Sequence, residues 1–156
     1  MSDSAAPAGL LLRAKRATYA AQGDDATVTP LLPGSRQLEY REGRLFYRDV
    51  YFGVAAFAGL ETVHEANVPR WSMAYAGGVL AAAAQTQMRQ VYAFLRSALT
   101  RGTLEAPFRG PAQHESFGYE YVNEWLGSVD DFSGAELIRR DGAIVYRLTY
   151  AGGRVR

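Results

Sequence analysis

Apolar and polar positions along the chain repeat with two different periods. From about Ala8 to Ala21 the period is helical: Leu11, Ala14 and Thr18 share one side, and Arg13 and Arg16 take the other. Pro7 stands near the start of this run and Gly23 just past its end, the asymmetry a helix favours. A second helical run extends from Val79 to Arg101. Leu80, Ala84, Met88, Val91, Leu95 and Leu99 form one apolar stripe, Gln85, Arg89, Gln90 and Arg96 fill the other side, and Gly102 supplies a stop.

The remainder alternates with a period of two, the mark of half-buried strands. Leu38 to Arg41 and Leu45 to Phe52 flank Glu42-Gly43, and Glu136 to Arg140 and Ala143 to Ala151 flank Asp141-Gly142, both hairpin signals. Leu60 to His64 and Arg70 to Ala76 flank a turn containing Asn67 and Pro69. Residues 23–34, with Pro30 and Pro33, read as a loop.

The strand regions are self-similar. Phe57-Ala58-Gly59-Leu60-Glu61 returns 75 residues later as Phe132-Ser133-Gly134-Ala135-Glu136, and Tyr75-Ala76-Gly77-Gly78 returns at the same offset as Tyr150-Ala151-Gly152-Gly153. With one residue of slippage, Tyr47, Asp49, Tyr51 and Gly53 meet Tyr121, Asn123, Trp125 and Gly127. The expected architecture is a single α+β domain over residues 1–156. It is built from a duplicated α-βββ unit, with repeats at 44–78 and 118–153, and two helices pack a curved antiparallel sheet or barrel. The glycine pairs read as strand-end turns.

Alternation places acids among rings. One face collects Tyr47, Asp49, Tyr51, Phe57, Glu61, Trp71, Met73 and Tyr75 from the first repeat. The same face collects Tyr121, Asn123, Trp125, Phe132, Glu136, Tyr146, Leu148 and Tyr150 from the second. The opposite face carries Glu120, Glu124, Arg139, Arg147 and Thr149, which suits water. The ring-rich face is therefore the inner one, and Glu61, Glu136 and Asp49 lie inside it. A buried carboxylate must be paired, hydrogen-bonded or protonated. Tyrosine hydroxyls, or Arg109 reaching in from a loop, would serve. Two readings stay open: a site for a polar or cationic ligand on aromatic walls, or an architectural acid that bonds internally.

Composition narrows the chemistry. Cysteine is absent, which excludes disulfides and thiolate nucleophiles. The two histidines have no third ligand at metal spacing, so no metal site and no cofactor is expected. A net charge of +1 points to neither nucleic acid nor a membrane surface. No apolar stretch is long enough to span a bilayer, and the expected location is the cytoplasm. Lys15 is the only lysine. His64 falls opposite Glu61 as a surface residue, His114-Glu115 reads as a loop after Pro111, and Asp130-Asp131 as a solvated turn. Phe108-Arg109-Gly110-Pro111 reads as a rigid connector whose arginine has the means to grip an anion.

Several words along the chain are shared with a known family. They are Leu38-Glu39-Tyr40, Tyr47-Arg48-Asp49, Tyr51-Phe52-Gly53, Trp71-Ser72-Met73-Ala74-Tyr75, Phe108-Arg109-Gly110-Pro111, Phe132-Ser133-Gly134-Ala135-Glu136 and Tyr150-Ala151-Gly152-Gly153. Together they resemble an uncharacterised prokaryotic domain-of-unknown-function family that also occurs behind a Cro-type helix-turn-helix. The resemblance implies a sensory domain and no particular catalytic residue. A looser, architectural likeness is to the bacterial effector-binding domains of multidrug regulators, which duplicate a permuted version of this unit. The expected function is small-molecule binding in a pocket formed by Glu61, Glu136, Asp49, Tyr47, Trp71, Tyr75, Tyr121, Trp125, Tyr150 and Arg109. The alternatives are a structural protein with a filled core and a carboxylate-dependent hydrolase. Exposed sheet edges would allow pairing into a homodimer.

Overall fold

A computed structural model describes residues 5–18, 28–80 and 85–156. Helix α1 (Ala5–Ala17) precedes strands β1 (Arg36–Glu42), β2 (Leu45–Gly53), β3 (Ala56–Glu65) and β4 (Val68–Val79). Helix α2 (Gln85–Leu99) then leads to β5 (Gln113–Ser116), β6 (Tyr119–Ser128), β7 (Asp131–Arg140) and β8 (Ala143–Arg154). The eight strands form one antiparallel sheet in the order β1-β2-β3-β4-β8-β7-β6-β5. Two four-strand meanders therefore meet at β4 and β8. The sheet is open and does not close into a barrel: β1 pairs only with β2, and β5 only with β6.

Hairpin chemistry sets the registers. Ala66-Asn67, Phe117-Gly118 and Asp141-Gly142 are left-handed at both positions, the backbone that matches the twist of a two-residue hairpin. Between β1 and β2 the turn is Gly43-Arg44, one residue later than Glu42-Gly43, because Glu42 still pairs with Leu45. The inner face then holds the expected aromatic residues. Tyr47, Trp71, Met73, Tyr121, Ile138, Tyr146 and Leu148 are all buried, and they share one core with Leu10, Leu11 and Ala14 of α1 and Val91, Leu95 and Leu99 of α2.

Several boundaries differ from the sequence reading; the second helix, for one, ends at Leu99 and not Arg101. α1 begins at Ala5, so Pro7 lies within its first turn, where a missing N–H costs little; the expected continuation through 19–21 lies outside the described residues. Val79 and Leu80 do not start the second helix. Val79 pairs with Tyr146 at the end of β4, and the Leu80 N–H donates to the Val145 carbonyl. Residues 81–84 lie outside the described residues. The apolar run passes from strand to helix without a break, so its pattern held no boundary. His114-Glu115 stands on β5, not in a loop, paired with Tyr121 and Glu120. Each meander thus has four strands. The tip that creates β5 is Phe117-Gly118, whose phenylalanine is not a residue associated with left-handed turns.

The glycine pairs are interior to their strands, not turns at the ends. A Cβ on Gly77 would lie 2.2 Å from the Arg147 carbonyl oxygen, and one on Gly152 would lie 2.2 Å from that of Ser72. Gly77 sits opposite Leu148 and Gly152 opposite Met73, on either side of a Tyr75–Tyr150 pair. Glycine there lets the central strands approach under large neighbours.

Gly152→Ala is expected to lower the melting temperature by on the order of 5–10 °C, since backbone must move to admit the methyl group. Ala151→Ser, on the exposed face, should change it by no more than about 2 °C. Thermal unfolding followed by circular dichroism measures both.

Candidate functional site

The inward acids occupy matching register positions. Asp49 lies across from Glu61 on β2 and β3, and Asn123 lies across from Glu136 on β6 and β7. All four are at least 95% buried. Each glutamate receives a cation from outside the sheet. Lys15 of α1 places Nζ 2.6 Å and 2.5 Å from the two Glu61 carboxylate oxygens. Arg109, from the segment between α2 and β5, donates through Nε at 3.1 Å and Nη2 at 2.6 Å to Glu136 Oε1. Glu136 also accepts from the hydroxyls of Tyr121 at 2.5 Å and Tyr146 at 2.8 Å.

The second members of the two pairs differ. The Tyr75 hydroxyl donates to Asp49 Oδ1 at 2.6 Å, and the Tyr150 hydroxyl donates to Asn123 Oδ1 at 2.8 Å. Asn123 further gives its Nδ2–H to the Gly110 carbonyl at 3.0 Å, while the Gly110 N–H donates to the Tyr121 hydroxyl. Phe108 stacks on Phe132 with centroids 4.0 Å apart. The connector from Phe108 to Gly110 thus fills the interior beside β6 and β7.

Beside β2 and β3 a cavity of about 30 Å³ remains, lined by Asp49, Tyr51, Gly53, Val54, Phe57, Tyr75, Tyr92 and Arg109. Of the residues expected to form a pocket, Asp49, Tyr75 and Arg109 meet there. Glu61, Tyr47, Glu136, Tyr121, Trp71, Trp125 and Tyr150 are not part of its lining. Trp71 donates its indole N–H to the Val129 carbonyl at 2.9 Å and stacks on Phe132. Trp125 is half-buried against the core. The Tyr92 hydroxyl donates to the Val54 carbonyl and pins α2 over the cavity mouth.

Electrostatics separates Asp49 from its neighbours. Burial, then the nearby Glu61 charge, raises its pKa to about 7 against the favourable contacts of Tyr75, Lys15 and Arg109. Burial lowers the Lys15 pKa against the pull of Glu61. For Arg109 burial acts downward, but Glu136 and the tyrosines win, and its pKa is raised well above the ordinary value.

Two partners escaped the sequence reading. Lys15 follows Leu11 and precedes Thr18 on one helical stripe, so the sole lysine stood on the apolar side, a signal of a buried charge. Tyr92 lies beside the Val91 stripe, and nothing in its spacing indicated that it would cap a cavity. His114 stacks on Phe94 and faces the Ser97 hydroxyl, and it is not part of the cavity lining. Among the described residues no group of three or more His, Asp or Glu could hold a metal ion. No described helix is long and apolar enough to cross a membrane.

A family model described as a domain of unknown function (DUF5680) matches residues 49–155, the greater part of the chain. The match begins at Asp49 and includes Glu61, Arg109 and Glu136, while Lys15 lies outside it. No curated protein and no solved structure matches the chain.

Asp49 should make the protein less stable as pH rises. From the ordinary aspartate value of 3.8 to about 7 the folded chain keeps a proton that the unfolded chain has lost, so stability falls across that window. Asp49→Asn should flatten the fall by up to a few kcal/mol, at about 1.4 kcal/mol per pH unit. Urea unfolding of both proteins at pH 4.5 and pH 7.5 measures the difference. The asparagine should be accommodated, since Asn123 accepts the same tyrosine bond in the other half of the sheet.

Arg109→Met should cost roughly 3–5 kcal/mol, because Glu136 is left as an uncompensated buried charge. Adding Glu136→Gln should recover part of that loss. A double-mutant cycle from urea unfolding checks the coupling.

Proposed function

The chain belongs to the DUF5680 family, and on that premise we propose that it is a small-molecule-binding domain of sensory type whose site is the cleft at Asp49. The observation that carries this reading is the inequality of the two halves of the sheet. Beside Glu136 the chain fills the interior with its own Phe108-Arg109-Gly110, and each polar group there has a partner within the protein. Beside Asp49 a cavity stays open, with an acid at its base and the rings of Tyr51, Phe57, Tyr75 and Tyr92 around it. Aromatic walls with a few polar groups, here Asp49 and Arg109, are the lining that ligand sites share.

In this reading the chain is a duplicated unit, α1 with β1–β4 and α2 with β5–β8. The repeated words in sequence, the matched acid and amide positions and the paired glycines of β4 and β8 support it. One copy keeps the acid and the space; the other has become architectural. Glu61 and Glu136 then act as supports, each tied to a cation and to the strands. Their internal bonds also favour a second reading, a structural protein with a filled core.

Titration of isotope-labelled protein with a library of amines, amides, sugars and carboxylates, followed by nuclear magnetic resonance, separates the two. A saturable response at Asp49, Tyr51, Phe57, Tyr75 and Tyr92, weakened at least about tenfold by Asp49→Asn, is expected for a binding domain. A flat response across the library would select the filled core.

A further inference from the structure

The buried ionic groups do not balance. Lys15 and Arg109 supply two cations to a cluster holding three carboxylates, Glu61, Glu136 and Asp49. Lys15 is held by both oxygens of Glu61, and Arg109 by two bonds to Glu136. Asp49 has the neutral Tyr75 hydroxyl. In the other meander the position is a neutral Asn123, and Glu136 is matched by Arg109. An unmatched buried carboxylate is costly, and this one lines a cavity.

The walls and the size narrow the occupant. The aromatic residues Tyr51, Phe57, Tyr75 and Tyr92 line the cavity, a wall type that suits a cation, and the Tyr75 ring already lies 5.8 Å from the Arg109 guanidinium carbon. The half-enclosed cavity, about 30 Å³, is far smaller than the pocket of a drug-sized ligand, so only a compact head group enters it. Among organic cations a primary –NH3⁺ is the most compact head, smaller than a quaternary ammonium. The Arg109 guanidinium also lines the cavity, but its charge is already matched by Glu136.

We propose that the cleft takes the primary ammonium head of an organic amine, its carbon body lying at the mouth formed by Val54 and Phe57, and that Asp49 gives up a proton as the head enters. The carboxylic O–H breaks, the proton passes to solvent, and the carboxylate pairs with the ammonium; no covalent bond to the ligand forms. This rests on the cleft being a ligand site, as argued above. The groups facing Asp49 are Glu61 of β3, Tyr75 of β4, Tyr47 of β2, Lys15 of α1 and Arg109 of the connector. Glu61 favours the neutral acid, while Tyr75 and the two cations favour the carboxylate. The resulting value of about 7 leaves a proton to be displaced at pH 6.

Isothermal titration calorimetry of the full chain at pH 6 tests it, with n-butylammonium, tetramethylammonium, n-butanol and butyrate as probes. Running each in two buffers of different ionisation enthalpy counts protons. Butylammonium should bind at least about tenfold more tightly than the other three. Its uptake should release close to one proton, and Asp49→Asn should weaken it at least about tenfold with the fold retained by circular dichroism. Equal binding of butanol or butyrate would overturn the cation, and equal binding of tetramethylammonium would overturn the primary head group, with the cleft still a ligand site in either case. Tight butylammonium binding without proton release would overturn the displacement at Asp49. Failure of all four probes, where the wider library still binds at Asp49, would overturn the amine alone. Silence from the library as well would remove the site itself.

Discussion

Three carboxylates inside a ring-rich core are the constraint around which this molecule is arranged. Moving an ionised carboxylate out of water costs several kcal/mol even after relaxation, so each must be paired, hydrogen-bonded or protonated. The inner face offers tyrosine hydroxyls but no cation. Both cations come from outside the sheet, Lys15 from α1 and Arg109 from the connector after α2. Docking of the helical layer and satisfaction of the buried acids are therefore one event.

The junction of the two meanders obeys a steric constraint. Tyr75 and Tyr150 face each other across β4 and β8, and each sends its hydroxyl to the acid or amide of its own meander. A Cβ on Gly59 would lie 2.3 Å from the Tyr75 hydroxyl oxygen, and one on Gly134 would lie 2.3 Å from Cζ of Tyr150. Each tyrosine thus lies flat over a glycine of the next strand, which is how so large a side chain reaches a neighbour two strands away. The same geometry on both sides positions Asp49 and Asn123 alike, and only their chemistry differs.

That difference concentrates reactivity in one place. Asn123 is engaged at its oxygen by the Tyr150 hydroxyl and at its nitrogen by the Gly110 carbonyl. Asp49 has one hydroxyl, a like charge across the ladder and an open space beside it. A group in that setting titrates near neutrality because burial and Glu61 oppose its charge more strongly than Tyr75, Lys15 and Arg109 support it.

Alternation by itself determined which residues face inward, because a strand allows only two faces and the aromatic side had to be the dry one. The repeated words, the hairpin at Asp141-Gly142 and the burial of Glu61, Glu136 and Asp49 followed from it. What pairs with what did not follow. Lys15 and Glu61 are 46 residues apart, and Arg109 and Glu136 are 27 apart, separations over which no local period carries information. The end of β4 was hidden because strand and helix share one apolar run. The cavity was hidden because it depends on where α2 sets Tyr92 and where Phe108 comes to rest. Local periodicity decides orientation, whereas the contacts that close or leave open an interior exist only after the layers have packed.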